Sequence, residues 1–360
     1  MIKVDITVAL LAYKEEDNLR ILLPKIKNNL KKIGDINYEI IVIDTSQPLD
    51  NTKELCKEMG AKYYNQEWPG FGGAFKTAIK YASKELFLIL DSDGSHNPDY
   101  IPAIYKKFVN EQSDIVIGSR YVKGGKTCDS KMSIIMSKIL NTAFRLCLGF
   151  KAKDISTDYR MYYTEQLKDI DLENKNYDVL QEVLLKLRIN KPDLRIKEVP
   201  ITFEKRVFGE SKRQLIPFII SYIKSLFRLT CIRFPWIKNL FLYGIIGAFG
   251  AVIDFTIFTL LHIFFLKPEI ANICGAVVGF LFTFSMNTFL NFKAKEHLIK
   301  KFLSYGAICI VGMGVSTVGI WIFKKYFNLY LLKGLLLIGV SILQFLLNKK
   351  ITYREQNYEK

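Results

Sequence analysis

The sequence predicts an α/β parallel sheet followed by a helical membrane segment, and three observations carry this. Apolar runs of strand length alternate with helical periodicity over residues 1–213. Residues 240–347 are nearly all apolar, with charges confined mostly to short loops. Leu86–Asp99, LFLILDSDGSHNPD, turns abruptly from a buried-strand pattern to acids and turn formers. At 360 residues the chain can hold two domains.

Each element follows from its pattern. Val4–Leu11 reads as a first buried strand, and Glu16–Lys31 as a helix with Leu19, Leu22, Leu23, Ile26 and Leu30 on one face. Tyr38–Asp44, YEIIVID, is a strand ending in an acid. Asp50–Met59 reads as a helix and Lys62–Tyr64 as a short strand. PGFGG (69–73) reads as a glycine-rich turn into a helix over Ala74–Ser83. Leu86–Leu90 is the central strand, and Pro98 opens a helix running to about Val109. Asp114–Gly118 is a strand, Asp178–Leu187 a helix, and Leu194–Phe203 a strand. A parallel sheet brings the strand ends, with Glu15, Asp44, Asp91 and Asp93, to one edge, where open α/β sheets bind ligands.

Composition bounds the partners. The formal net charge is +16, yet no nucleic-acid motif or stacking surface accompanies it. Lys and Arg beside apolar helices point instead to an anionic membrane surface. The 6 cysteines lack metal-ligand spacing and read as reduced. The N-terminus has too short an apolar run for a signal peptide, which leaves the first domain in the cytoplasm.

Asp91 and Asp93 are the chemical focus. Two close carboxylates repel and pay desolvation, so they need a cation. Oxygen ligands select Mg²⁺ or Mn²⁺, which usually bridge to a diphosphate. For DxD alone, the competing reading is a simple turn rich in Asp, Ser and Gly. His96 is the histidine near this chemistry, and it reads as structural support.

YEIIVID, GFGGAFKTAIKYA, DSDGSHNPDYIP, DIVIGSRYVKGG and EVPITFEKRVFGESK occur in the order found in family 2 inverting glycosyltransferases of the GT-A (Rossmann-like) fold. Over about residues 4–213 the chain most resembles dolichol-phosphate mannose synthases and related polyprenyl-phosphate hexose synthases. The resemblance implies a metal held by Asp91 and Asp93 with Ser95 near it. It implies nucleotide and donor contacts from Leu11, Tyr13, Glu15, Asp44 and Ser92, and phosphate contacts from Ser119 and Arg120. Arg206 and Lys212 flank a glycine in a loop suited to an anionic diphosphate; the competing reading is a solvated basic linker. The chain departs from the family at Leu11–Glu15, at Asp44–Gln47 and at Asp154–Arg160, where Ile155 replaces Pro and Asp158 replaces Gly.

Residues 1–212 are therefore expected to form the glycosyltransferase domain, with an amphipathic interfacial helix at about 130–148. Residues 213–236 read as a second interface helix, with Lys224, Arg228 and Arg233 along it. Residues 237–360 read as a GtrA-like domain of four transmembrane helices, about 240–266, 270–292, 302–323 and 330–347. Lysines in 293–301 and at the tail put those loops in the cytoplasm. NTFLNF and QFLLNKKITY resemble each other and suggest an internal repeat. Asp254, mid-span, reads either as functional or as an acid paired with a hydroxyl.

The expected activity is inverting hexose transfer to dolichyl or polyprenyl phosphate at the cell membrane. GDP-mannose is the favoured donor; UDP-glucose and UDP-N-acetylglucosamine remain open. A phosphate acceptor is already anionic at neutral pH and needs no general base, since its second pKa is about 6. A processive polysaccharide synthase fits less well, because no Gln-x-x-Arg-Trp segment is present. A lipid-linked sugar translocator or scaffold is the reading from another class.

Overall fold

The computed structural model describes residues 4–206, 208, 215–264, 268–323 and 325–354. The chain divides into two compact units, Met1–Arg233 and Phe234–Lys360.

The first unit is built on a 7-stranded sheet of order β3-β2-β1-β4-β7-β5-β8. Its strands are β1 (Ile6–Leu11), β2 (Tyr38–Asp44), β3 (Lys62–Asn65), β4 (Leu86–Asp91), β5 (Ile115–Ser119), β7 (Arg160–Tyr163) and β8 (Ile196–Pro200). A separate ribbon pairs β6 (Lys126–Thr127) with β9 (Thr202–Phe203). The helices are α1 (Glu16–Ile33), α2 (Thr52–Glu58), α3 (Gly70–Tyr81), α4 (Ile101–Asn110), α5 (Lys131–Leu148), α6 (Thr164–Lys168), α7 (Val179–Asn190) and α8 (Leu215–Arg233).

The strands are apolar throughout because both sheet faces are covered. Leu86, Leu88 and Leu90 of β4 pack toward Leu19, Leu23 and Ile104 of α1 and α4. Phe87 and Ile89 face the other way, into a cluster with Phe75, Val183 and Leu184 of α3 and α7.

Three sequence expectations need correction. The sheet is mixed, because β7 runs antiparallel to both β4 and β5. Segment 154–159 crosses the carboxyl edge first, so β7 begins where its neighbours end. The 69–73 glycine run is not a turn before a helix, because α3 already starts at Gly70. A Cβ on Gly72 would collide with the Asn174 carbonyl, and the Gly72 N–H donates to the Lys175 carbonyl at 2.9 Å. The expected strand Leu194–Phe203 breaks at Ile201, whose N–H turns to the Ser119 carbonyl and whose carbonyl turns to Lys126.

Arg160 is fully buried and donates to the carbonyls of Ile155 and Leu180 and to the Tyr162 hydroxyl. Glu182 is equally buried. It accepts the N–H groups of Glu173 and Asn174 and pairs with Lys186 at 2.9 Å and Arg228 at 3.2 Å. It thereby ties α7, the 173–174 turn and α8 together.

The second unit contains α9 (Pro235–Phe264), α10 (Pro268–Met286), α11 (Leu298–Phe323) and α12 (Leu329–Leu347). Three stretches are long and apolar enough to cross a membrane: Pro235–Phe264, Ile273–Asn291 and Leu298–Val315. The fourth expected span coincides with α12, which is not among these three. α10 and α12 each end in a π-helical turn, Asn287–Asn291 and Asn348–Thr352. Asn287 donates to the Tyr305 hydroxyl at 3.2 Å, and Asn348 to the Tyr243 hydroxyl at 3.1 Å. These matching bonds repeat at the spacing that NTFLNF and QFLLNKKITY suggest.

Glu182 generates a stability prediction. Burial pushes its carboxyl up, but the N–H donors and the Lys186 and Arg228 charges outweigh it, so its pKa lies below the usual range. A depressed folded-state pKa gives stability that is present above the unfolded glutamate pKa and lost as pH falls through the folded one. The first unit should therefore lose stability on acidification below the ordinary glutamate range. Glu182→Gln should remove about 3 kcal/mol at neutral pH and flatten that acid limb, as read by denaturant melts across pH.

Candidate active site

The carboxyl edge of the sheet gathers the chemistry-bearing residues. In the parallel register of β1 and β4, Leu11 lies opposite Asp91. The Ser92 hydroxyl donates to the Leu11 carbonyl at 2.5 Å and fastens the two strand ends. Gly94 sits at φ 80°, a left-handed conformation that glycine takes without a Cβ penalty. That turn returns the chain so that Ser95 sits between the two acids. The Ser95 hydroxyl lies 2.5 Å from Asp93 Oδ1 and 3.3 Å from Asp91 Oδ2.

The 202–206 segment runs beside this turn. His96 bridges to Phe203, and the Glu204 N–H donates to the Ser95 carbonyl at 2.9 Å. This path brings Arg206 Nε within 2.9 Å of Asp93 Oδ2. Arg206 is part-exposed, so it can exchange this partner for another anion. Lys212 lies outside the described residues.

His96 is buried beneath the acids. Its Nδ1 accepts the Asp91 N–H at 3.0 Å, and its Nε2 lies 3.2 Å from the Thr157 hydroxyl. Burial lowers its pKa against the pull of Asp91 and Asp93, so the ring is neutral. Asp158 Oδ1 stands 3.5 Å from the same Nδ1. Burial, and then the neighbouring Asp91 charge, push the Asp158 carboxyl well above the usual carboxylate range. Asp91, His96 and Asp158 offer ligand atoms within 4.8 Å of one another.

The remaining predicted residues line the same edge or sit behind it. Asp44 is buried and accepts from the Thr45 N–H at 2.7 Å and the Tyr63 hydroxyl at 3.0 Å; burial pushes its pKa up. Tyr13 is 52% exposed, which leaves its ring accessible to a ligand. Glu15 accepts from Asn18 at 2.5 Å. Burial pushes Glu15 up, with the Asn18 hydrogen bond opposing and the Asp93 charge adding.

Arg120 is turned inward. Its Nε and Nη2 grip Asp154 at 2.7 and 2.9 Å, and Nη2 also reaches Ser156 at 2.8 Å. Burial works against its charge, but the Asp154 pairing more than offsets that and raises its pKa. Burial pushes Asp154 up, and the Arg120 bonds outweigh this to hold it below the usual range. The guanidinium also lies over the Phe203 ring at 5.3 Å, and that ring packs on His96 at 5.2 Å. Arg120 therefore stands behind the acids, braced, while Arg206 touches them. Ser119 is fully buried beside it.

The oxygen donors of Asp91, Asp93 and Ser95 suit a hard divalent cation. Asp91 remains 27% exposed, which leaves a route for an ion. Sequence reasoning missed the convergence of Asp158 on Asp91. The signal lay in the antiparallel register of β7, which DISTDYRMY does not announce.

Known proteins match along this frame. Residues 7–171 match the glycosyl transferase family 2 profile, and residues 242–353 the GtrA/DPMS transmembrane domain profile. With the three apolar helices, the second match makes this a membrane protein. The chain is 28% identical to a dolichol-phosphate mannosyltransferase of Pyrococcus furiosus, covering 97% of this chain and 99% of the relative. It is 30% identical to an undecaprenyl-phosphate mannosyltransferase of Micrococcus luteus, over 56% of this chain and 84% of the relative. Among solved structures, glucosyl-3-phosphoglycerate synthase of Mycobacterium tuberculosis, crystallised with Mn²⁺, UDP and its product, has the same fold. The TM-score is 0.50 at 19% identity, covering 63% of this chain and 80% of that one. The mixed sheet, the acidic strand end and these matches together show that the chain is a glycosyltransferase and belongs to glycosyl transferase family 2.

Proposed function

We propose that this protein transfers mannose from GDP-mannose to a polyprenyl phosphate at the cytoplasmic face of a multi-pass membrane protein. The observation that carries this is the likeness to the Pyrococcus mannosyltransferase across both units, 97% of the chain. The Micrococcus relative supports the same acceptor class.

The site suits the chemistry. Asp91, Asp93 and Ser95 would hold Mg²⁺ or Mn²⁺, which when bound neutralises a leaving nucleoside diphosphate. Arg206 sits on Asp93 and is exposed enough to swing to a phosphate. Lys212, in the same basic loop by sequence, would add charge there. Asp44, Tyr13 and Glu15 would border the nucleotide. Arg120, braced by Asp154, would lend its field to the acceptor phosphate, with Ser119 behind it. The phosphate attacks the anomeric carbon opposite the diphosphate and forms a new C–O bond. The diphosphate leaves with the bonding pair, and the configuration inverts.

The acceptor is a lipid, and the first unit has faces for one. α5 exposes Met132, Ile135, Ile139 and Leu146, and α8 exposes Ile220, Ile223 and Phe227. Such apolar stripes with Lys131, Lys138 and Lys224 beside them fit helices lying in a headgroup layer. A UDP-glucose or UDP-N-acetylglucosamine donor is the second reading, because the residues after Asp44 depart from the family pattern.

Two outcomes are expected. Membranes containing the protein should move labelled mannose from GDP-mannose to a polyprenyl phosphate, and EDTA should abolish it. Transfer only from a UDP-sugar would replace the donor, and no transfer from any of these donors would sink the reading. Asp91→Asn or Asp93→Asn should cut turnover by more than about 100-fold with little change in melting temperature. Arg206→Ala should lower kcat by about 100-fold, as read by steady-state kinetics.

A further inference from the structure

The C-terminal end of α5 gathers positive charge that the chemistry above does not use. Arginines reach it from three helices: Arg145 from the last turn of α5, Arg188 from the last turn of α7 and Arg233 from the end of α8. Arg233 donates to the Cys147 carbonyl at 2.8 Å, Arg188 to the Gly149 carbonyl at 2.5 Å, and Arg145 to the Lys151 carbonyl at 3.3 Å. A Cβ on Gly149 would collide with the Arg233 guanidinium, so the glycine makes room for it. Arg188 lies over the Phe150 ring at 5.3 Å, which fixes the plane of its fork.

Arginines at a helix C-terminus have a plain use, since they satisfy its last carbonyls. That use does not account for this much charge. A helix end carries about half a negative charge, less than Arg145 or Arg188 alone brings to it. Among the described residues neither of these two pairs with an acid; both donate to carbonyls. The acids closest to them along α7 and its approach, Glu173 and Glu182, are taken by Lys186 and Arg228. The Nε of Arg145 is buried without a hydrogen-bond partner. Burial, and then the Arg188 charge, lower the Arg233 pKa, as expected where like charges are held close. All three arginines are half-buried, so an anion can still reach them.

The surroundings indicate which anion. Leu146, next to Arg145, is 77% exposed. It ends the apolar stripe of Met132, Ile135 and Ile139 on α5, and Arg233 ends the helix that exposes Ile223 and Phe227. In a membrane protein, basic groups beside exposed apolar residues meet lipid phosphates rather than dissolved ions. The place is also separate from the acidic site. Arg120 lies 3.9 Å from Asp129, just ahead of α5. The 18 residues of α5 then rise about 27 Å to the arginines at its other end.

We propose that Arg145, Arg188 and Arg233 bind the phosphate of an anionic phospholipid headgroup. Planar guanidinium forks suit phosphate oxygens, and the acyl chains would run along the exposed leucine and its stripe. The lipid would join the ends of α5, α7 and α8 at headgroup level. This holds whichever sugar the protein transfers.

The test is native mass spectrometry of the full-length protein in detergent, titrated with phosphatidylglycerol, with phosphatidylcholine of the same acyl chains, and with inorganic phosphate. The wild type should hold phosphatidylglycerol at least about 10-fold more tightly than phosphatidylcholine. Arg188→Gln should lower that affinity about 10-fold or more, the worth of a lost charge-assisted bond, and Arg188→Lys should recover part of it. If Arg188→Gln does not fold, Arg145→Gln is read by the same criterion. Lys131→Gln, at the far end of α5, should leave the affinity within about twofold of wild type. Arginines that only cap the helix predict a lower melting temperature in Arg188→Gln with phosphatidylglycerol affinity unchanged, and that result would overturn the proposal. An equal loss in Lys131→Gln would overturn it too, because binding would then follow overall charge. Inorganic phosphate that displaces the lipid at equal concentration would overturn the lipid assignment.

Discussion

The repulsion among carboxylates at the end of β4 is the constraint around which the first unit is arranged. Asp91 and Asp93 are two residues apart, and Asp158, two residues before β7, comes up beside Asp91. Like charges this close raise each other's proton affinity and destabilise the fold unless offset. The surrounding structure supplies the offsets that a rigid scaffold can supply. Ser95 bridges two of the acids, and Arg206 covers the third side of Asp93. Acidic oxygens on a well-packed strand end suit a cation, and through it an anion such as a diphosphate.

The packing that holds these acids is dense. β4 is central in the sheet, with β1 on one side and β7 on the other. Both faces are covered, so the strand end cannot relax by shifting. Among the described residues, Arg160 on β7 is held by the Ile155 and Leu180 carbonyls and the Tyr162 hydroxyl rather than by an acid. That arrangement fixes the start of β7 and therefore the residue two before it. A buried arginine thus positions Asp158 without touching it.

Much of this was legible in the sequence because apolar runs and strand-end acids are local signals. β1, β2 and β4 appear within a residue or two of their expected bounds. Asp44, Asp91 and Asp93 fall on the carboxyl edge that a parallel sheet implies. What escaped was non-local. RMYY is short and follows a loop, so nothing in its own pattern says that it inserts between β4 and β5 in reverse. Asp158 could be seen only as a departure from a family pattern, since its neighbour Asp91 is 67 residues away (158 − 91). The inward turn of Arg120 was hidden for the same reason. Its partner Asp154 is brought to it by the α5 crossover, over a separation of 34 residues. The glycines at 70, 72 and 73 read as turn formers, whereas the approach of the 174–175 backbone to Gly70 and Gly72, and of the Trp68 carbonyl to Gly73, is what excludes side chains there.

The two arginines at the site illustrate how burial divides labour between like charges. Arg120 is 9% exposed and makes a bidentate pair with a fully buried aspartate. Removing it from that pair would strand Asp154, so its position is costly to change. Held in this pair, it is not free to swing toward a ligand. Arg206 is 34% exposed and holds Asp93 through one contact in a loop beside β9. A contact of that kind is worth little in water, and a cation settling on Asp93 would weaken it further. A cation filling the acidic site would therefore free Arg206, and its positive charge would then be available to a diphosphate.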